Sequence, residues 1–145
     1  MTDYVFDTEA TVAFLYGEPG HDRIGELLAA VEASDARGYL AEANASEVYY
    51  LIARFEGTDD ERPTQESLRT ADRDLRALER RGLAIEQPDW RLAAEVKSDG
   101  GLSLADAYAV ALAVEREAEL VAGGDDDFDS LPVDVTVRRF RDDGI

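Results

Sequence analysis

Short apolar runs alternate with longer stretches in which apolar residues recur every three or four positions, and this alternation predicts strands followed by helices along nearly the whole chain. Tyr4-Val5-Phe6 reads as a strand ending at Asp7, and Ala10, Val12, Ala13, Phe14 and Leu15 follow with helical spacing up to the break at Gly17-Glu18-Pro19-Gly20. Ile24, Leu27, Leu28 and Val31 form the stripe of a second helix, from His21 to about Asp35, which Gly38 ends. Tyr39-Leu40-Ala41 is the next strand. Asn44 is placed as the cap of a helix carrying Val48, Leu51, Ile52 and Phe55, which stops near Gly57.

Pro63 is placed at the start of a fourth helix, with Leu68, Ala71, Leu75 and Leu78 as its stripe and Gly82 as its end. Leu83-Ala84-Ile85 then reads as a strand, Trp90 to Lys97 as a helix, and Ser103 to about Ala118 as a strongly apolar helix. Leu120-Val121-Ala122 makes a fourth strand, Asp125 to Asp129 a loop, and the alternating Val133, Val135 and Val137 an edge strand. No repeat or long linker divides the pattern. The expectation is one domain over residues 1–145, a three-layer α/β/α sandwich around a mainly parallel sheet.

This order has a chemical consequence. Crossover helices run against the strands that they join, so strand C-termini and helix N-termini share one edge of the sheet, where open α/β sheets bind ligands. Asp7 and Asp125 follow strands, whereas Glu47 and Asp106 fall in first helical turns. All four are therefore expected on one rim. Each has an innocent reading as well: Asp7 as a helix cap, Asn44 to Glu47 and Ser103 to Asp106 as capping boxes, Asp125 as part of a solvated acidic loop. Together, however, four carboxylates with no cation among them in sequence would repel one another, and something positive should sit between them. Hard oxygen ligands suit Mg²⁺ or Mn²⁺, ions that activate water and neutralise charge developing on a phosphodiester.

Composition narrows the chemistry further. The 145 residues are 45% hydrophobic, enough for a sizeable core, and contain no cysteine, which removes disulfides, thiol nucleophiles and thiolate zinc sites. A cytoplasmic location is expected, because the chain opens without a basic and apolar leader and holds no run of about 20 apolar residues. His21 is the sole histidine, at the start of a surface helix, so a histidine mechanism has little support. The formal charge of −18, with Lys97 as the only lysine, resembles the composition of proteins from a salt-rich, halophilic cytoplasm. At molar salt the Debye length falls to about 3 Å, so net acidity does not exclude an RNA substrate.

The phrases Val5-Phe6-Asp7-Thr8, Asn44-Ala45-Ser46-Glu47-Val48, Leu102-Ser103-Leu104-Ala105-Asp106-Ala107 and Gly124-Asp125-Asp126-Asp127-Phe128 resemble the four acidic motifs of PIN-domain ribonucleases, and their order resembles VapC-type toxins of toxin-antitoxin pairs. The resemblance implies Mg²⁺- or Mn²⁺-dependent endonucleolytic cleavage of RNA. It implies Asp7, Glu47, Asp106 and Asp125 as catalytic metal ligands, with Thr8 and Asp127 in support, Asp127 also as a ligand. A cognate antitoxin and homodimerisation are implied partners. One departure is that Gly123 and Gly124 stand where the family often has a polar residue, commonly Thr, and its successor before the fourth acid.

Two segments also resemble haloacid-dehalogenase-like phosphatases, with Asp7 as nucleophile, Gly124-Asp125 and Asp129 as metal motif and Lys97 as phosphate ligand. Glu9, however, stands where that family has a second aspartate, and the reading leaves Glu47 and Asp106 without a task. A PIN-like binding subunit without catalysis is a third class, disfavoured by the presence of all four acids. Arg69, Arg73, Arg76 and Arg80 form a basic helical stripe that either guides RNA phosphates or pairs with Glu66, Asp72 and Glu79 as a solvated face. Arg138, Arg139 and Arg141 pose the same choice.

Overall fold

Neighbouring strand residues point to opposite faces of a sheet, and both faces of this one are apolar and covered. The computed structural model describes residues 2–123 and 128–141. Its strands are β1 (Tyr4–Phe6), β2 (Gly38–Ala41), β3 (Leu83–Glu86), β4 (Glu119–Ala122) and β5 (Val137–Arg139). They lie in the order β3-β2-β1-β4-β5, and every neighbouring pair is parallel.

The helices are α1 (Thr8–Tyr16), α2 (His21–Glu32), α3 (Glu42–Phe55), α4 (Gln65–Arg80), α5 (Trp90–Ser98) and α6 (Leu104–Arg116). Phe6, Leu40, Leu83 and Val121 pack on one face against Ala10, Ile24, Val48 and Leu75 of α1 to α4. Val5, Tyr39, Leu120 and Ala122 pack on the other against Val96 of α5 and Val110 and Leu112 of α6. The three-layer α/β/α arrangement around a parallel sheet is thus as the alternating pattern predicts. Phe14, Leu15 and Tyr49 pack partly buried against the first cluster, while Tyr50 is exposed.

The chain leaves β1 toward β2 and β3, then returns on the far side of β1 to form β4 and β5. Strand order therefore reverses between β1 and β4, which opens a crevice at their C-terminal ends. Asp7 and Gly123 are the residues that follow these two strands. The Asp7 N–H donates to the Val121 carbonyl at 3.1 Å, so the two strand ends are tied beside the crevice.

Several boundaries differ from the sequence expectation. α3 begins at Glu42 after Ala41, not at Asn44, which is buried inside the helix. Pro63 lies before α4 rather than in it: Thr64 caps that helix, accepting from the Ser67 N–H while Ser67 Oγ accepts from the Thr64 N–H. The fifth strand is Val137–Arg139, not the longer run from Val133, although Val133 and Val135 still pack against the second cluster. β4 has only four residues, and this limits the ladder that its neighbour can form. No helix among the described residues is long and apolar enough to cross a membrane.

A candidate metal centre at the carboxyl edge

The cleft at this edge has a volume of about 310 Å³, and Asp7, Thr8, Glu9, Glu18, Glu47 and Asp106 line it together with Gly123. Val12, Leu51 and Phe128 give it an apolar wall. Three of the acids expected on this rim, Asp7, Glu47 and Asp106, are thus brought together. Asp125 and Asp127, the other two residues expected as ligands, lie outside the described residues.

Asp7 is the most constrained of these acids, at 3% exposure. It caps α1, its Oδ1 accepting from the Ala10 N–H at 2.7 Å, so the cap role anticipated from sequence coexists with a place in the cleft. Burial pushes its pKa up to about 8; the Ala10 hydrogen bond opposes this, and the nearby carboxylates of Glu9, Asp106 and Glu47 add to it. A buried carboxyl without a cation among its hydrogen-bond partners, ringed by three others, has the chemistry of a hard-cation ligand.

Glu47 sits more than one turn into α3 instead of closing a capping box, and is half-buried. Tyr50 Oη donates to its Oε2 at 3.4 Å. Asp106 is in the first turn of α6, and Ser103 caps this helix by accepting from the Asp106 N–H at 3.1 Å. That half of the expected box is present.

Among the described residues no three acidic or histidine side chains already form a closed metal cage. The donor set nevertheless fits a hydrated hard ion, since Mg²⁺ keeps several waters and takes only one or two protein carboxylates. An all-oxygen set without histidine or thiolate also disfavours zinc.

Two elements of the site are not evident from local sequence pattern. Asn44, expected as a cap, is fully buried and donates from Nδ2 to Thr8 Oγ1 at 3.0 Å, joining the first turn of α3 to that of α1. Glu9 and Glu18 face the cleft and pair with Arg141 at 2.9 Å and 3.5 Å. The signal for Glu9 was its place in the same first turn as Asp7; its arginine partner is 132 residues away.

Several of the other cations stand in ion pairs. Arg76 pairs with Asp72 at 2.7 Å and Arg73 approaches Asp74 at 3.8 Å, both on exposed α4 surface, which gives half of the basic stripe the character of a solvated face. Arg138 pairs with Glu119, and Arg139 with Asp129 while donating to the Gly123 carbonyl. Lys97, the lysine of the phosphatase reading, lies in the last turn of α5 and does not line the cleft.

Comparison with known proteins bears on the family and the fold. The family model described as PIN domain matches residues 4–133. Among solved structures, VapBC2 of Rickettsia felis, bound to a promoter DNA fragment, has a similar chain with a TM-score of 0.66 at 16% identity, covering 95% of this chain and 98% of that one. FitAcB of Neisseria gonorrhoeae gives 0.62 at 19% identity, with 94% and 97% covered. VapC20 of Mycobacterium tuberculosis, described as a toxin that cleaves the sarcin-ricin loop, gives 0.60 at 15% identity, with 92% and 98% covered. These likenesses concern the fold. Curated protein sequences yield no match.

Proposed function

The chain belongs to the PIN-domain family, and from that premise we propose that it is a Mg²⁺- or Mn²⁺-dependent endoribonuclease, the toxin of a toxin-antitoxin pair. The observation that carries the reading is the convergence of Asp7, Glu47 and Asp106, from three separate elements, on one cleft at the strand-order reversal. The phosphatase reading accounts for only one of these three acids.

Asp7, Glu47 and Asp106, with Asp125 and Asp127, would hold the cation, one or two of them directly and the others through its waters. The ion would supply Lewis acidity, lowering the pKa of water and balancing charge on the phosphodiester under attack. The chain's own residues prepare this state. The Ala10 N–H orients the Asp7 carboxyl, the Asn44 amide holds Thr8 beside it, and Ser103 fixes the helix turn that presents Asp106. Val12, Leu51 and Phe128 limit water on one side, which strengthens electrostatic interactions in the cleft.

A cognate antitoxin and a second copy of the chain are the proposed protein partners. Support for the antitoxin comes from similar structures that are toxin-antitoxin complexes, including one from Klebsiella pneumoniae at 20% identity and a TM-score of 0.60. The test of activity uses two substrates. Purified protein should cut RNA when Mn²⁺ or Mg²⁺ is added, stop on chelation, and leave a small aryl phosphate intact. Turnover of the aryl phosphate without RNA cleavage would favour the phosphatase.

A further inference from the structure

An anionic substrate entering this cleft meets few donors. Of the polar side chains that line it, Asp7, Glu9, Glu18, Glu47 and Asp106 are acids, and among the described residues only the hydroxyls of Thr8 and Ser103 can donate whatever the pH. Ser103 is exposed. Thr8 is 8% exposed and takes the first position of α1, directly after Asp7.

The state of the Thr8 hydroxyl is set from α3. Asn44, which has no exposed surface, donates from Nδ2 to Thr8 Oγ1 at 3.0 Å. A hydroxyl has one hydrogen to give and two lone pairs to receive. Asn44 takes up a lone pair, so the Thr8 hydrogen needs an acceptor elsewhere, and no described group accepts it, although Asp7 is its neighbour in sequence and Glu47 lines the same cleft. The reverse orientation of the amide would let Thr8 donate to Oδ1, but it would turn Nδ2 and both its hydrogens to the side where Oδ1 now stands without a partner. Unpaired buried N–H groups are rarer than underused carbonyl oxygens. The amide therefore leaves Thr8 to donate toward the cleft that it lines.

We propose that Thr8 is a substrate-contacting residue: with Asn44 on its acceptor side, its O–H donates to a non-bridging oxygen of the phosphodiester in the cleft. This role rests on the nuclease reading of the cleft and is distinct from support of the acids. Asn44 is then the residue that positions Thr8. A neutral donor suits the place, because a lysine or arginine there would pair with the carboxylates, whereas a hydroxyl adds a hydrogen bond to an anionic oxygen and leaves the acids available.

The test is the rate at which the full-length chain cleaves total RNA with Mn²⁺, measured beside urea unfolding of each variant. Thr8→Val keeps the shape without the donor and should lower the rate by about tenfold to a hundredfold, the worth of a hydrogen bond to a charged group. Thr8→Ser keeps the donor and should restore most of that loss. Thr8→Val with Asn44→Leu removes both polar groups, so stability should recover while cleavage should not. Cleavage that recovers together with stability, or that is equal in wild type and Thr8→Val, would overturn the assignment and leave the nuclease reading standing. The pH profile of cleavage should keep its midpoint in Thr8→Val; a shifted midpoint would overturn the phosphate contact in favour of a bond to a carboxylate of the cleft. A wild type that leaves RNA intact would overturn the nuclease reading and this role with it. If Thr8→Val does not fold, the double variant against Thr8→Ser decides.

Discussion

Asn44 Nδ2 donates to Thr8 Oγ1 at 3.0 Å, across 36 residues of sequence and between two side chains that are both buried. The bond joins the residue after Asp7 to the helix that carries Glu47, so it sets the relation between two of the cleft's acids. Asn44 Oδ1 has no partner among the described groups, which leaves the amide dependent on Thr8. Thr8→Val removes the acceptor and strands a buried amide. It should cost about 1–3 kcal/mol in urea unfolding, and Thr8→Val with Asn44→Leu should recover part of that loss because both polar groups are then gone.

The raised pKa of Asp7 gives the metal-free protein a characteristic pH dependence. Between its ordinary value of 3.8 and the folded value of about 8, the folded state keeps a proton that the unfolded state has lost. Stability from this group therefore falls as pH rises through that window, by up to about 1.4 kcal/mol per unit, and is flat above it. Asp7→Asn should be more stable than wild type without metal, with a gap that widens from pH 4 toward pH 8 in denaturant titrations. Added Mn²⁺ should stabilise wild type most at the upper end, where the carboxylate is available, and should not stabilise the variant through this residue.

The net charge of −18 makes a separate prediction. Raising salt from about 0.1 M to about 1 M shortens the Debye length from about 10 Å to about 3 Å and screens repulsion among the surface carboxylates. The melting temperature should rise over that range at constant pH and without divalent metal. A melting temperature that falls would show that the exposed pairs, such as Arg76 with Asp72, outweigh the repulsion.

Much of the arrangement was legible in the sequence because it follows from period and order. The alternation of apolar runs with helical stripes placed the parallel sheet, and the antiparallel course of crossover helices placed Asp7, Glu47 and Asp106 on one edge. Local spacing failed where a distant partner decides. Asn44 has the offset of a cap relative to Glu47, yet its amide is taken by Thr8 from another helix, and α3 starts earlier, at Glu42. The pairing of Glu9 carried no local signal, since its partner Arg141 lies far along the chain. Val133 and Val135 kept the alternating burial expected of a strand, but backbone pairing with β4 begins only at Val137.

In the proposed reaction acids from separate elements act together on an RNA phosphodiester, and Asp106 separates it from the phosphatase, which gives this residue no task. RNA cleavage in the presence of Mn²⁺ should be compared for wild type and Asp106→Asn, with circular dichroism verifying that both are folded. Wild type should cleave, lose that activity on chelation, and exceed the variant by at least about a hundredfold, in the range that removing one electrostatic contribution to catalysis produces. A folded Asp106→Asn protein that cleaves RNA at the wild-type rate would contradict the proposed reaction.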